Sequence, residues 1–196
     1  MATIVFGLAK RGRLPALVQR HDSTAVLGLF AFINSVVAIG IMSCVALLTG
    51  APFIFPSLGP TAFLLFYTPM LPASSPRNCL AGHAIGAAAG YLSLVLFELT
   101  NHAPALVEGL AWNRVGAAAL SLGLTSGVMV WARAPHPPAG ATTLIVSLGI
   151  LRRPADLVVL MLAVALLVVQ AYVINHLAGI PYPRWAPVPA AKHISS

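Results

Sequence analysis

The chain has 196 residues, 59% of them apolar and only 8% charged, with eleven Lys and Arg against four Asp and Glu. A soluble domain carries roughly a quarter of its residues as charges, so this composition excludes an ordinary soluble domain, a disordered chain and a secreted disulfide scaffold. The mean hydropathy of +0.91 points instead to a protein whose outer face is solvated by lipid.

The net charge of +7 does not define a nucleic-acid binder, because the basic residues form no long stripe. The densest group, Lys10, Arg11, Arg13 and Arg20, precedes the first long apolar run. In a membrane protein that is a cytoplasmic orientation signal. Residues 1–23 therefore read as a basic cytoplasmic tail. The following run is too long for the core of a secretory signal and reads as a retained span.

From there the chain alternates long and short apolar segments. Residues 25–50 are the first long one, and residues 53–71, opening with Pro and Gly, are short. Residues 80–99 and 114–132 are long, 137–151 short again, and 156–177 long. Each long segment approaches the ~20 residues a helix needs to cross the hydrocarbon. Helices follow because a chain in lipid must satisfy its own amides and carbonyls. The expectation is an all-α polytopic membrane protein with four long spans and two short or re-entrant helices. Its transmembrane domain runs over 24–178, and residues 179–196 form a Pro-rich tail.

The two short segments resemble each other. FPSLGPTAFLLF starts at Phe55 and HPPAGATTLIVS at His136, and a shift of 81 positions pairs Pro56 with Pro137, Gly59 with Gly140 and Thr61 with Thr142. The chain thus reads as two long-short-long units, about 24–100 and 112–178, in the manner of an inverted repeat. Paired interrupted segments are the best pointer from sequence to a transport site. Full crossing by both gives six passes with both termini inside. Re-entrance by both gives four. The basic-residue distribution favours six by a narrow margin.

Several residues are candidates for function. Pro137 and Pro138 oppose a continuous helix and leave a helix start whose N–H groups favour anions. Thr142 and Thr143 add hydroxyls one turn in. Pro56, Ser57, Gly59, Pro60 and Thr61 form the matching start, with Ser57 as a cap. Arg77 sits at a span boundary beside Asn78. His83 is placed within a span, next to a ridge of Gly82, Gly86 and Gly90 that permits close packing. Asn34 reads as interhelical glue, and Tyr182, Arg184 and Trp185 suit the headgroup zone. Cys44 and Cys79 read as small buried hydrophobes. There is no HExxH, CxxC or P-loop. The six histidines, His21, His83, His102, His136, His176 and His193, make no metal signature by spacing, so no metal, no cofactor and no catalytic set is expected.

HPPAGAT at 136–142, PSLGPTA at 56–62 and PRNCLAGH at 76–83 resemble the HPP family of integral membrane proteins, with the likeness running over about 24–178. The resemblance implies a compact helical membrane domain and, through cyanobacterial and chloroplast relatives associated with nitrite transport, a small-anion pathway. It singles out Pro56, Ser57, Gly59, Pro60, Thr61, Arg77, Asn78, Gly82, His83, His136, Pro137, Pro138 and Gly140. The resulting expectation is a transporter or channel in a bacterial inner membrane, with the lipid bilayer and a small inorganic anion as partners, no nucleic acid, and a homodimer as a candidate assembly. A non-transporting structural or interaction module is the rival.

Overall fold

The computed structural model describes residues 13–187. Lys10 and Arg11 of the basic cluster, and Pro189, Lys192 and His193 of the tail, lie outside the described residues. All the regular structure described is helical: α1 (Leu14–Arg20), α2 (Ser23–Thr49), α3 (Leu58–Tyr67), α4 (Pro76–Leu96), α5 (Ala105–Glu108), α6 (Trp112–Trp131), α7 (Ala139–Ser147) and α8 (Pro154–Leu177), with a single 3-10 turn at Pro72–Ser74.

The protein is an all-α polytopic membrane protein with four long apolar spanning helices, α2, α4, α6 and α8. Local chemistry sets their ends. Asp22 accepts from the Ala25 amide at 2.8 Å and starts α2, while Gly50, at φ 66°, closes it. Ser75 caps α4, whose first helical residue is Pro76, and Pro154 opens α8 in the same way. The four acidic residues, Asp22, Glu98, Glu108 and Asp156, all sit at helix ends or in loops. The outer faces carry Leu29, Phe32, Val36, Leu47 and Leu48, as lipid requires. α6 has 20 residues and bears an exposed tryptophan at each end, Trp112 and Trp131. At ~1.5 Å per residue that places the two indoles about 28 Å apart, near the thickness of the hydrocarbon.

Backbone contacts order the ends. At one end, the Leu14 amide donates to the Ala178 carbonyl (3.0 Å), the Arg77 amide to Trp185 (3.1 Å), and the Arg77 side chain to Ala132 (3.4 Å). This gathers α1, the start of α4 and the ends of α6 and α8. The end of α3 joins them, because Asn175 on α8 donates to the Leu65 carbonyl at 3.0 Å. At the other end, the Ala105 amide donates to Leu148 (2.9 Å), and Arg152 donates to the His102 carbonyl. Arg114 donates there to both Ala103 and Ser147. This gathers the ends of α4 and α7 with the starts of α6 and α8. The short helices α3 and α7, of ten and nine residues, therefore run in opposite directions. At about 15 Å or less, neither crosses a bilayer by itself. Each is preceded by an irregular stretch that extends its reach.

Three expectations are corrected. Asn34 donates to Phe30 of its own helix at 2.7 Å and glues nothing across helices. Cys44 is exposed on α2, and only Cys79 is buried. The tail does not begin as a surface strand at the headgroups: Ile180 and Tyr182 are buried, and the Tyr182 hydroxyl donates to the Ser74 carbonyl at 2.5 Å. Its ring fills the gap between α8 and the turn before α4, and a phenol so placed needs that acceptor. Arg184 and Trp185 beyond it are exposed, as expected of a membrane-interface pair.

Candidate functional site

α4 places Cys79, Gly82, His83, Gly86 and Gly90 at three- and four-residue intervals, hence on one face. That face meets the segment from His136 into α7. A Cβ on Gly82 would lie 2.5 Å from the His136 Cβ. On Gly86 it would lie 2.6 Å from the Ala139 carbonyl oxygen, and on Gly90 2.7 Å from the Val146 Cβ. Only hydrogen fits at these points, so the glycine ridge lets the broken segment lie directly on α4. His83 and His136 become neighbours as a result.

The centre is built from four side chains that are fully buried: Thr61, His83, His136 and Thr142. Nδ1 of His83 lies 2.7 Å from the Thr142 hydroxyl, and its Nε2 lies 2.9 Å from the Thr61 hydroxyl. The two threonines paired by the 81-residue shift thus address the two nitrogens of a single imidazole. Nε2 of His136 lies 3.1 Å from Nε2 of His83, and the ring centroids are 4.8 Å apart with the planes tilted by 57°.

The partners define the protons. The Ala73 carbonyl can only accept, so His136 Nδ1, at 2.7 Å, carries a hydrogen and donates it. In the neutral ring, His136 Nε2 then holds a lone pair. His83 satisfies it by donating from Nε2, and its Nδ1 accepts from the Thr142 hydroxyl. Thr61 donates to the Ser57 carbonyl at 2.8 Å. A directed chain runs from Thr142 through His83 and His136 to Ala73.

The other expected site residues divide. Ser57 occupies the cap position of α3, but its hydroxyl makes no capping bond and is buried without a partner among the described residues. The Ser57 backbone is helical there, at φ −68° and ψ −19°, and not in the extended form of a cap. Thr143 is likewise buried with its hydroxyl unpartnered. Pro138 is buried at the start of α7, and Pro137, Pro56 and Pro60 are exposed. Gly59 is exposed, and Gly140 abuts Leu122, so neither joins the centre. Asn78 is buried beneath the preceding turn and donates to Pro72 at 2.9 Å. Arg77 donates to the Ala132 carbonyl at 3.4 Å, at the end where α4 starts.

Two buried groups escaped the sequence reading. Cys79, one turn before His83, puts its sulfur 3.5 Å from His136 Nε2. The donor atoms of Cys79, His83 and His136 all lie within 4.8 Å of one another, a grouping that the spacing of cysteines and histidines along the chain hid. Its local trace was the i, i+4 pair Cys79–His83, but His136 arrives 53 residues later. The other group is Arg114, 2% exposed, whose guanidinium satisfies the carbonyl of Ser147 at the end of α7. A cation at a helix C-terminus suits the dipole. Outside the spans, Glu108 accepts from the Ala103 amide at 2.8 Å, which, with help from His102, holds its carboxyl below the usual range.

Residues 20–183 match the model of the family described as HPP, transmembrane region. The chain belongs to that family, which is not associated with catalysis. Two proteins of Dictyostelium discoideum, each described as a transmembrane protein, are similar to it: one is 32% identical over 97 residues and the other 34% over 93. The matches cover 50% and 47% of this chain but only 30% and 27% of those proteins, so the chain spans under a third of the relatives it matches. No solved structure matches it.

Proposed function

We propose that this chain is a small-anion transporter or channel of a bacterial inner membrane, with nitrite the first substrate to test. The observation that carries the reading is the convergence of both broken segments on one buried imidazole, through Thr61 and Thr142. In this reading the chain crosses six times, as two units of opposite orientation, with both termini cytoplasmic. Exchange of the units supports it: α2 packs on α3 as α6 packs on α7, α4 on α7 as α8 on α3, and α4 on α6 as α8 on α2.

The chemistry suits an anion. The starts of α3 and α7 bring N–H groups and positive dipole ends to the middle of the fold. The Ser57 and Thr143 hydroxyls are buried without partners among the described residues and can donate. Arg77 attracts the ion at one mouth and requires no desolvation to do so.

A direct test is nitrite flux into proteoliposomes, with chloride, nitrate and formate as competitors and the pH gradient varied separately. Saturable entry above that of empty liposomes, reduced in Arg77→Ala with folding intact, is the expected outcome. Flux equal to that of empty liposomes removes the transport reading. One observation favours the rival, a non-transporting interaction module: the centre is closely packed, with α4 in direct contact with α7. That reading requires a stable partner to co-purify.

A further inference from the structure

We propose that Cys79, His83 and His136 bind one monovalent copper ion, Cu(I), in the buried interior beside the first two turns of α4. The inference stands on the geometry of the three side chains and does not require the transport reading.

The donor set comes first. Three buried groups converge on the single lone pair of His136 Nε2: His83 Nε2 at 3.1 Å, the Thr61 hydroxyl at 3.4 Å and the Cys79 sulfur at 3.5 Å. Thr61 spends its hydrogen on the Ser57 carbonyl, so His83 and Cys79 compete for that one acceptor, and protons alone leave one of the two approaches without a full bond. A metal ion resolves the conflict, because every approaching atom can then point a lone pair at it. Metal–nitrogen bonds of about 2.0 Å and a metal–sulfur bond of about 2.3 Å, at tetrahedral angles, separate the donors by about 3.3 Å and 3.5 Å. The observed His83–His136 and Cys79–His136 separations, 3.1 and 3.5 Å, are close to these, while the set as a whole spans up to 4.8 Å, so the Cys79 and His83 side chains draw together when one ion takes all three donors.

The outer partners match too. A metal-bound imidazole characteristically donates its other N–H to an oxygen, which fixes the ring. His136 does so through Nδ1 to the Ala73 carbonyl at 2.7 Å. His83 has the Thr142 hydroxyl at 2.7 Å from Nδ1, and that hydroxyl can turn to accept. The result frees Nε2 of both rings.

Charge selects the metal. No carboxylate approaches the centre, since all four acidic residues lie at helix ends or in loops. The Cys79 thiol loses its proton as the metal–sulfur bond forms, and the proton leaves to solvent with no electron transferred. With one thiolate and two neutral imidazoles, Zn(II) would leave a net positive charge in a region that solvates charge poorly. Cu(I) leaves none. Thiolate is also the soft ligand that Cu(I) prefers.

The test uses the full chain purified in detergent under anaerobic conditions and titrated with Cu(I) against a chromophoric chelator. The expected result is one Cu(I) retained per chain, with X-ray absorption showing one sulfur and two nitrogens in the first shell. Cys79→Ser and His136→Gln should each lower affinity by about 100-fold or more, while Cys44→Ser leaves it unchanged. Elution profile and helical circular dichroism establish that each variant is folded. The absorption spectrum of the unsubstituted chain decides the matter even if a variant misfolds. No Cu(I) taken from the chelator, a first shell without sulfur, or equal loss in Cys44→Ser and Cys79→Ser would overturn the site. Zn(II) bound as tightly by the same ligands would overturn the choice of a monovalent ion.

Discussion

At the scale of single residues, the centre depends on which atoms can donate. The Thr142 hydroxyl supplies the hydrogen that His83 Nδ1 accepts, and both groups are fully buried. Thr142→Val keeps the shape but leaves that nitrogen unpaired, which costs about 1–3 kcal/mol, whereas Thr142→Ser keeps the bond and most of the stability. Thermal unfolding in detergent compares the two. Glu108 gives a second check, far from the centre. Its carboxyl is held below the usual range chiefly by the Ala103 amide. A folded value below the unfolded one means that this contact stabilises the loop above the ordinary glutamate range. The contribution is lost as pH falls through the lowered folded value. The Ala103 amide resonance should therefore shift in acid, and Glu108→Gln should abolish the shift. Thr61, His83, His136 and Thr142 were legible in the sequence as polar residues in apolar or Pro/Gly-interrupted segments. Cys79 was not, since a cysteine in a hydrophobic run reads as packing until the fold brings His136 to its sulfur.

At the scale of elements, glycine decides how closely the broken segment approaches. Gly86 lies where a Cβ would sit 2.6 Å from the Ala139 carbonyl oxygen, while Gly59, also helical, has nothing within 4 Å. Gly86→Ala should therefore destabilise the protein by about 2 kcal/mol through overpacking. Gly59→Ala should stabilise it by about 0.5 kcal/mol through backbone entropy. Denaturant titration reads both, and an equal response at the two positions would remove the packing explanation. The ridge of Gly82, Gly86 and Gly90 was visible as a four-residue repeat. The surface it serves was not, because periodicity names a face and not its partner. The long helices were legible for a simpler reason: about twenty apolar residues suffice to mark a span. The docking of Tyr182 against Ser74 was hidden, because a tyrosine near a span end is equally at home among headgroups.

At the scale of the whole molecule, the proposed six crossings make a prediction about sides. Single cysteines placed at Asn101 and at Arg184, in a background lacking Cys44 and Cys79, should be labelled by an impermeant thiol reagent from opposite faces of sealed vesicles. Labelling from the same face contradicts the six-pass arrangement. The basic residues alone could not fix this count, since moving the short segments shifts only Arg77, Arg114 and Arg133 between sides. The opposed directions of α3 and α7 come from the contacts of Asn175 and Arg114, which no local pattern announces. In the proposed transport, an anion passes the threonines that meet at His83. The measurement that tests it most directly is nitrite uptake into proteoliposomes by the unsubstituted chain, Thr142→Ala and Thr142→Ser. The expected result is saturable uptake, a fall of about tenfold in the alanine variant, which leaves His83 Nδ1 without its donor, and recovery in the serine variant. Uptake that is the same in all three, or no greater than in empty liposomes, would contradict it.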